Sequence, residues 1–179
     1  MLVLYLFPWL INPSVSLSPN GYDLAEWASL HPAVRDATPA LLTSLLLRLP
    51  LACLALLIAF TMRRGLLPAL IMLIAAAALL PPPEFIKALD DPNYRQQAAL
   101  ALFTLLGGGV GLSGRLPRAR HWIAAAIGLV GALASVIGLI QSDDLMRGLQ
   151  LPTQPGLGGI LLVVMFILVA SAEAINQTG

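Results

Sequence analysis

The sequence predicts an all-α, polytopic transmembrane bundle of about six spans, arranged as three helical hairpins in one integral membrane domain over residues 1–179. Three observations carry that expectation. Of 179 residues, 58% are hydrophobic and only 11% charged, whereas a soluble domain carries roughly 25% charged residues. A water-soluble fold of this size has no polar exterior to spare for so much apolar surface, so lipid is its natural solvent. The apolar residues fall into six runs parted by charged or proline-rich breaks, and the sign of the charge in those breaks alternates along the chain.

The runs are residues 1–11, 39–62, 66–80, 98–113, 122–140 and 157–172. A span needs about 20 apolar residues. The second and fifth clear this length easily, and the third, fourth and sixth must extend into their flanks. The first is too short to cross alone. It lacks the basic start and small-residue cleavage site of a signal peptide, which leaves a half-span or a complete or truncated first span; the topology below takes it as a span. Arg63 and Arg64 follow the second run, and Arg115, Arg118 and Arg120 follow the fourth, with no acid beside them. The other three breaks hold Asp23, Glu26 and Asp36; Glu84, Asp90 and Asp91; and Asp143 and Asp144. The positive-inside rule then places the arginine-only turns and both termini in the cytoplasm, and the acidic loops outside. The hairpin units end near Arg64, Arg120 and Gly179. Nine of ten basic residues are Arg among abundant Ala, Leu and Pro, which fits a GC-rich bacterial genome and so a bacterial inner (plasma) membrane. Trp9, Tyr22, Trp27 and Tyr94 fall at the outer interface and Trp122 at the inner one, where amphipathic rings are favoured.

In the first outer loop, residues 14–18 alternate polar and apolar and read as a short extended segment. Asp23 with Glu26 three residues on is a variant of the capping box. It opens a short helix over residues 23–30 with Leu24, Trp27 and Ala28 on one face, lying on the membrane surface. Residues 84–89 and 143–147 read as further short interfacial helices. Asp23, Glu26, Trp27, Asp143 and Asp144 would together form an acidic outer docking surface for a partner or a cation; the plainer reading is solvated loop charge.

Arg48 is the most informative residue. It lies about 14 Å into the second span at 1.5 Å per residue, where a charge costs roughly 2.5–3.5 kcal/mol on insertion scales and tends to face the bundle interior. Pro50 removes one helix hydrogen bond and frees the carbonyl of Leu46. The partners open to Arg48 are that carbonyl, an outer-loop acid, a lipid headgroup or an anionic ligand; the plainer reading is a snorkelling arginine. A second signal is the small-residue face Ala124, Gly128, Gly131, Ser135 and Gly138 in the fifth run, with Gly107 and Gly111 in the fourth. Such faces let helix backbones approach closely in lipid, either by packing of the fourth span on the fifth or by docking onto a partner's helix.

Signals of catalysis are missing from the sequence. One cysteine, Cys53, excludes an internal disulfide and a cysteine-based metal site. His31 and His121 fall on opposite faces and cannot jointly ligate one haem. There is no HExxH, GxSxG or P-loop pattern, nothing positions Ser29, His31 and Asp36 as a triad, and a net charge of +1 argues against nucleic acid. Phe7-Pro8-Trp9, then Gly21-Tyr22-Asp23-Leu24, and Pro155-Gly156-Leu157-Gly158-Gly159 opening the last span together resemble an arrangement in small bacterial multi-span proteins of unknown function. That resemblance implies topology and no activity. The expectation is a non-enzymatic accessory or scaffold subunit of a larger membrane complex, without catalytic residues, cofactor or metal, whose partners are the bilayer and other membrane subunits. The alternatives are a transporter component for a small or anionic solute, resting on Arg48 and Pro50, and a lipid- or quinone-site membrane enzyme.

Overall fold

The apolar runs fold into helices of unequal length. The computed structural model describes residues 1–62 and 65–176; the Arg63-Arg64 turn and Gly179, where two of the hairpin units were expected to end, lie outside the described residues. In chain order the elements are α1 (Leu2–Tyr5), β1 (Leu10–Ile11), a 3-10 turn (Pro13–Val15), α2 (Gly21–Leu30), α3 (Pro32–Arg35), α4 (Leu42–Thr61), α5 (Leu66–Ala78), a 3-10 turn (Pro83–Lys87), α6 (Pro92–Ser113), α7 (Arg120–Gly148), β2 (Gln154–Pro155) and α8 (Leu157–Ile175). Among the described residues, α4, α7 and α8 are long and apolar enough to cross a membrane, which fits a membrane location. α5 is apolar but has 13 residues, about 20 Å of helix, shorter than the roughly 30 Å hydrocarbon core. α6 has 22 residues, but Asn93, Arg95, Gln96 and Gln97 make its first turns polar.

The first run does not make a spanning helix. α1 stops after four residues, because Pro8 has no amide with which to continue it. Residues 10–11 pair instead with β2, antiparallel, with Leu10 opposite Pro155 and Ile11 opposite Gln154. Three local expectations are also corrected. Residues 13–15 form a 3-10 turn in place of an extended segment, because Asn12 Oδ1 accepts from the amides of Ser14 and Val15. α2 starts two residues early and is capped by Asn20, whose Oδ1 accepts from Tyr22 N at 2.8 Å and Asp23 N at 3.0 Å. The Asp23–Glu26 box is therefore not the cap. Residues 143–147 are no separate helix; α7 runs unbroken to Gly148.

The chain divides into two compact units, Met1–Pro50 with Gly131–Phe166, and Leu51–Val130 with Ile167–Gly179. The divisions fall within α4, α7 and α8. The first unit buries Tyr5, Trp9, Leu10, Leu24, Ala25, Ala28, Leu47, Leu162 and Phe166. Tyr5 and Trp9 meet edge to face with centroids 5.6 Å apart, so Trp9 is a core residue and not an interfacial anchor. In the second unit α5 packs on α6, with Met72 seated against Gly108, and Leu56 and Phe60 of α4 lie over Gly107 and Gly111.

Candidate functional site

The site builds up from the way residues 1–41 fold onto the start of α4. The Asn20 cap sets the phase of α2, so that Gly21, Leu24, Ala25 and Ala28 form its buried stripe and Glu26 sits at the stripe's edge. Gly21 is needed because a Cβ there would lie 2.9 Å from both Trp9 Cε2 and Tyr5 Cε2. With α2 thus seated, Glu26 Oε1 accepts from Arg48 Nη2 at 2.8 Å. The Arg48 side chain is 3% exposed and that of Glu26 41% exposed. Arg48 thus faces the protein interior, and one of the acids open to it by topology, Glu26, is its ion-pair partner.

Beside the pair, the Tyr5 hydroxyl donates to Leu47 O at 3.1 Å. Burial pushes the Tyr5 phenol up from its ordinary pKa, and the nearby Arg48 guanidinium opposes that rise; Tyr5 stays a donor at neutral pH. Pro50 is fully buried, and α4 continues through it. Among the described residues, two buried side-chain polar atoms have no hydrogen-bond partner, Trp9 Nε1 and Ser44 Oγ. Ser29 and His31 are engaged locally: Ser29 Oγ donates to Glu26 O at 2.7 Å, and His31 Nδ1 accepts from Ala33 N at 3.3 Å. This arrangement clamps a cap onto a helix through a charged pair.

The three segments that carry the resemblance converge in the same unit. Gly156 N donates to Trp9 O at 2.7 Å, Gly158 N donates to Pro8 O at 2.9 Å, and Trp9 N donates to Pro19 O at 2.9 Å. The amides at the start of α8, which have no partner inside their own helix, are thus met by the carbonyls of residues 8–9. A Cβ on Gly158 would lie 2.6 Å from Phe7 O, and one on Gly156 would collide with Pro8 O. Glycine is required at both positions by the close approach of two backbones.

The expected outer docking residues all belong to the first unit, and three of them are engaged separately. Glu26 pairs with Arg48. Asp143 accepts from Arg147 Nε at 2.7 Å and from the Thr153 hydroxyl. Trp27 is half-buried, its ring 5.5 Å from that of His31. Asp23 and Asp144 are exposed.

The small-residue face of α7 is buried at all five positions, Ala124, Gly128, Gly131, Ser135 and Gly138. At two of these positions a large side chain of another helix fills the notch. Gly131 abuts Phe166 of α8, and Gly138 abuts Leu47 of α4. Gly107 and Gly111 of α6 face Leu56 and Phe60 of α4. At Gly107, Gly111, Gly131 and Gly138 the notches thus accommodate large side chains of α4 and α8.

Two contacts of the second unit were not foreseen from sequence. Arg120 donates to the carbonyls of Phe60, Thr61 and Met62, the last at 3.4 Å. It thereby caps the C-terminus of α4, where carbonyls lack intrahelical partners and favour a cation. His121 Nδ1 lies 2.6 Å from Glu173 Oε2. Both contacts join residues more than 50 positions apart, and no local pattern announces them. No protein-family model, curated protein or solved structure matches the chain.

Proposed function

We propose that this protein is a non-enzymatic scaffold or accessory subunit of a membrane complex. The observation that carries the reading is the commitment of Arg48: this charged side chain deep in an apolar run is 3% exposed and paired with Glu26, so it holds α2 on α4 and is not presented to a passing solute. The exposure of α8 supports it, since only 22% of its apolar window is buried inside the chain. That leaves a long apolar flank, with Ile160, Leu161, Val164, Ile167 and Leu168 exposed, for lipid or for the helix of another subunit.

The reading includes a topology. The alternation of charge still places the Arg63-Arg64 turn and residues 115–120 in the cytoplasm and the acidic segments outside. With residues 1–11 folded among the outer-loop elements, five segments, α4 to α8, make the crossings or insert part-way. The six-span, three-hairpin scheme becomes, in this reading, five membrane segments in a bacterial plasma membrane.

The test is purification from native membranes in mild detergent, with photocrosslinkers at Leu161, Val164 and Leu168. A discrete set of integral membrane proteins at fixed stoichiometry, crosslinked through α8, is expected. A chain that is monodisperse and uncrosslinked at all three positions, and that moves a solute across reconstituted liposomes, would overturn the proposal in favour of transport.

A further inference from the structure

A cleft of about 310 Å3 opens in the first unit between α3, the segment that follows it, the first turn of α4 and the end of α7. Its walls are largely apolar, from Val34, Pro39, Leu42 and Leu145, with Thr38, Thr43, Gln141 and Asp144 as polar members. Thr43 Oγ1 donates to Gln141 Oε1 at 2.8 Å, which fixes the amide. Among the described residues, the Gln141 amide nitrogen has no partner and the Asp144 carboxylate makes neither hydrogen bond nor ion pair. No Arg, Lys or His lines the cleft. An apolar hollow with a few convergent polar groups is the usual form of a small-molecule site.

We infer that this cleft binds a primary ammonium group, with Asp144 as its counter-ion and the Thr43–Gln141 pair shaping the wall beside it. The choice of ligand class follows from the lining. A solvent-exposed carboxylate with no basic residue beside it in the lining favours a cation over an anion. A hard metal ion takes six or more oxygen ligands, and one carboxylate in apolar walls does not supply them. A quaternary ammonium has no N–H to donate and is recognised by aromatic faces, and no Phe, Tyr or Trp lines this cleft. A primary ammonium donates three hydrogen bonds, enough for Asp144 and neighbouring oxygens, and its carbon stem suits the walls. The group can come from a free amine or from the ethanolamine headgroup of a membrane lipid, since the cleft lies at the ends of two membrane-length helices, α4 and α7.

The test uses the whole protein in lipid nanodiscs or mild detergent, with ethanolamine, choline, phosphatidylethanolamine and phosphatidylcholine as probes. Retention is read by native mass spectrometry and binding by calorimetry. Retention of phosphatidylethanolamine over phosphatidylcholine assigns the lipid source; binding of ethanolamine over choline, without lipid preference, assigns the free amine. In either case Asp144→Asn should weaken the interaction about three- to fivefold, the scale of an ion pair made by an exposed carboxylate. Asp143→Asn, whose carboxylate is already held by Arg147 and Thr153, should leave it within about twofold of the parent. Equal affinity for choline and ethanolamine headgroups, or an Asp144→Asn protein that melts and binds like the parent, would overturn the inference. Loss of the complexes described above would not touch it.

Discussion

Arg48 and Glu26 form an asymmetric pair, and the asymmetry decides what each substitution does. Arg48 is almost fully buried and Glu26 is two-fifths exposed. Remove Arg48, and Glu26 regains water. Remove Glu26, and a buried guanidinium loses a charged partner, the costlier state. Glu26→Leu is therefore expected to lower the thermal midpoint more than Arg48→Leu. Glu26→Gln should cost roughly 1.5–3 kcal/mol, the range for a hydrogen bond to a charged group, toward the low end because Glu26 is partly hydrated. Arg48→Lys should not restore parental stability, since an ammonium lacks the planar five-donor fork. Thermal melts of the four variants in one detergent check this; a parental midpoint for both Leu variants would show the pair to be idle. The depth of Arg48 and its interior orientation were legible in the sequence, because a charge in an apolar run has few places to go. Its partner was legible only as one of several kinds, an outer-loop acid among them, because the choice depends on the phase of α2, and that phase is set by the Asn20 cap and the fit of Gly21 against Tyr5 and Trp9.

At the scale of elements, small residues mark where helices come close but not which helices. The α7 stripe was readable from spacing alone, and all five of its positions are buried. Its partners were not readable, since a glycine notch accepts any large side chain of the right reach. Phe166 fills the notch at Gly131, where an added Cβ would lie 2.5 Å from its ring. Gly131→Leu should therefore disrupt the α7–α8 contact and reduce the folded yield severalfold, the effect of overpacking by several carbons. Leu133→Ile, at an exposed position of the same helix, should leave yield and midpoint near the parent. Detergent-solubilised yield by fluorescence-detected size exclusion distinguishes the two, and equal losses would remove the stripe from the packing argument. Helix starts follow a similar division: Asn20, Asp91 and His31 cap α2, α6 and α3 through bonds to amides two or three residues on, a local effect. The cap on the end of α4 comes from Arg120, about 60 residues away, and only the fold brings it there.

For the whole molecule, the membrane frame makes a direct prediction. Reporter fusions after Arg64 and Arg120 should read cytoplasmic, and fusions after Asp91 and Asp144 external. A protease-cleavable tag before Met1 should be cut from the outer side of intact spheroplasts. A tag cut only after lysis would restore a crossing first run and six spans; reversed signals at Arg64 and Asp91 would sink the charge-based topology altogether. The class of this protein and the approximate places of its long helices were determined by the sequence itself, because hydrophobic content and the length of apolar runs act locally and additively against lipid. The path of residues 1–41 was decided by tertiary structure. A short apolar run reads alike as a half-span or as a core segment. What makes it a core segment here is the pairing of Leu10 and Ile11 with Gln154 and Pro155 and the donation of the Gly156 and Gly158 amides to residues 8–9, bonds that join segments far apart in the chain and that no local window of sequence contains.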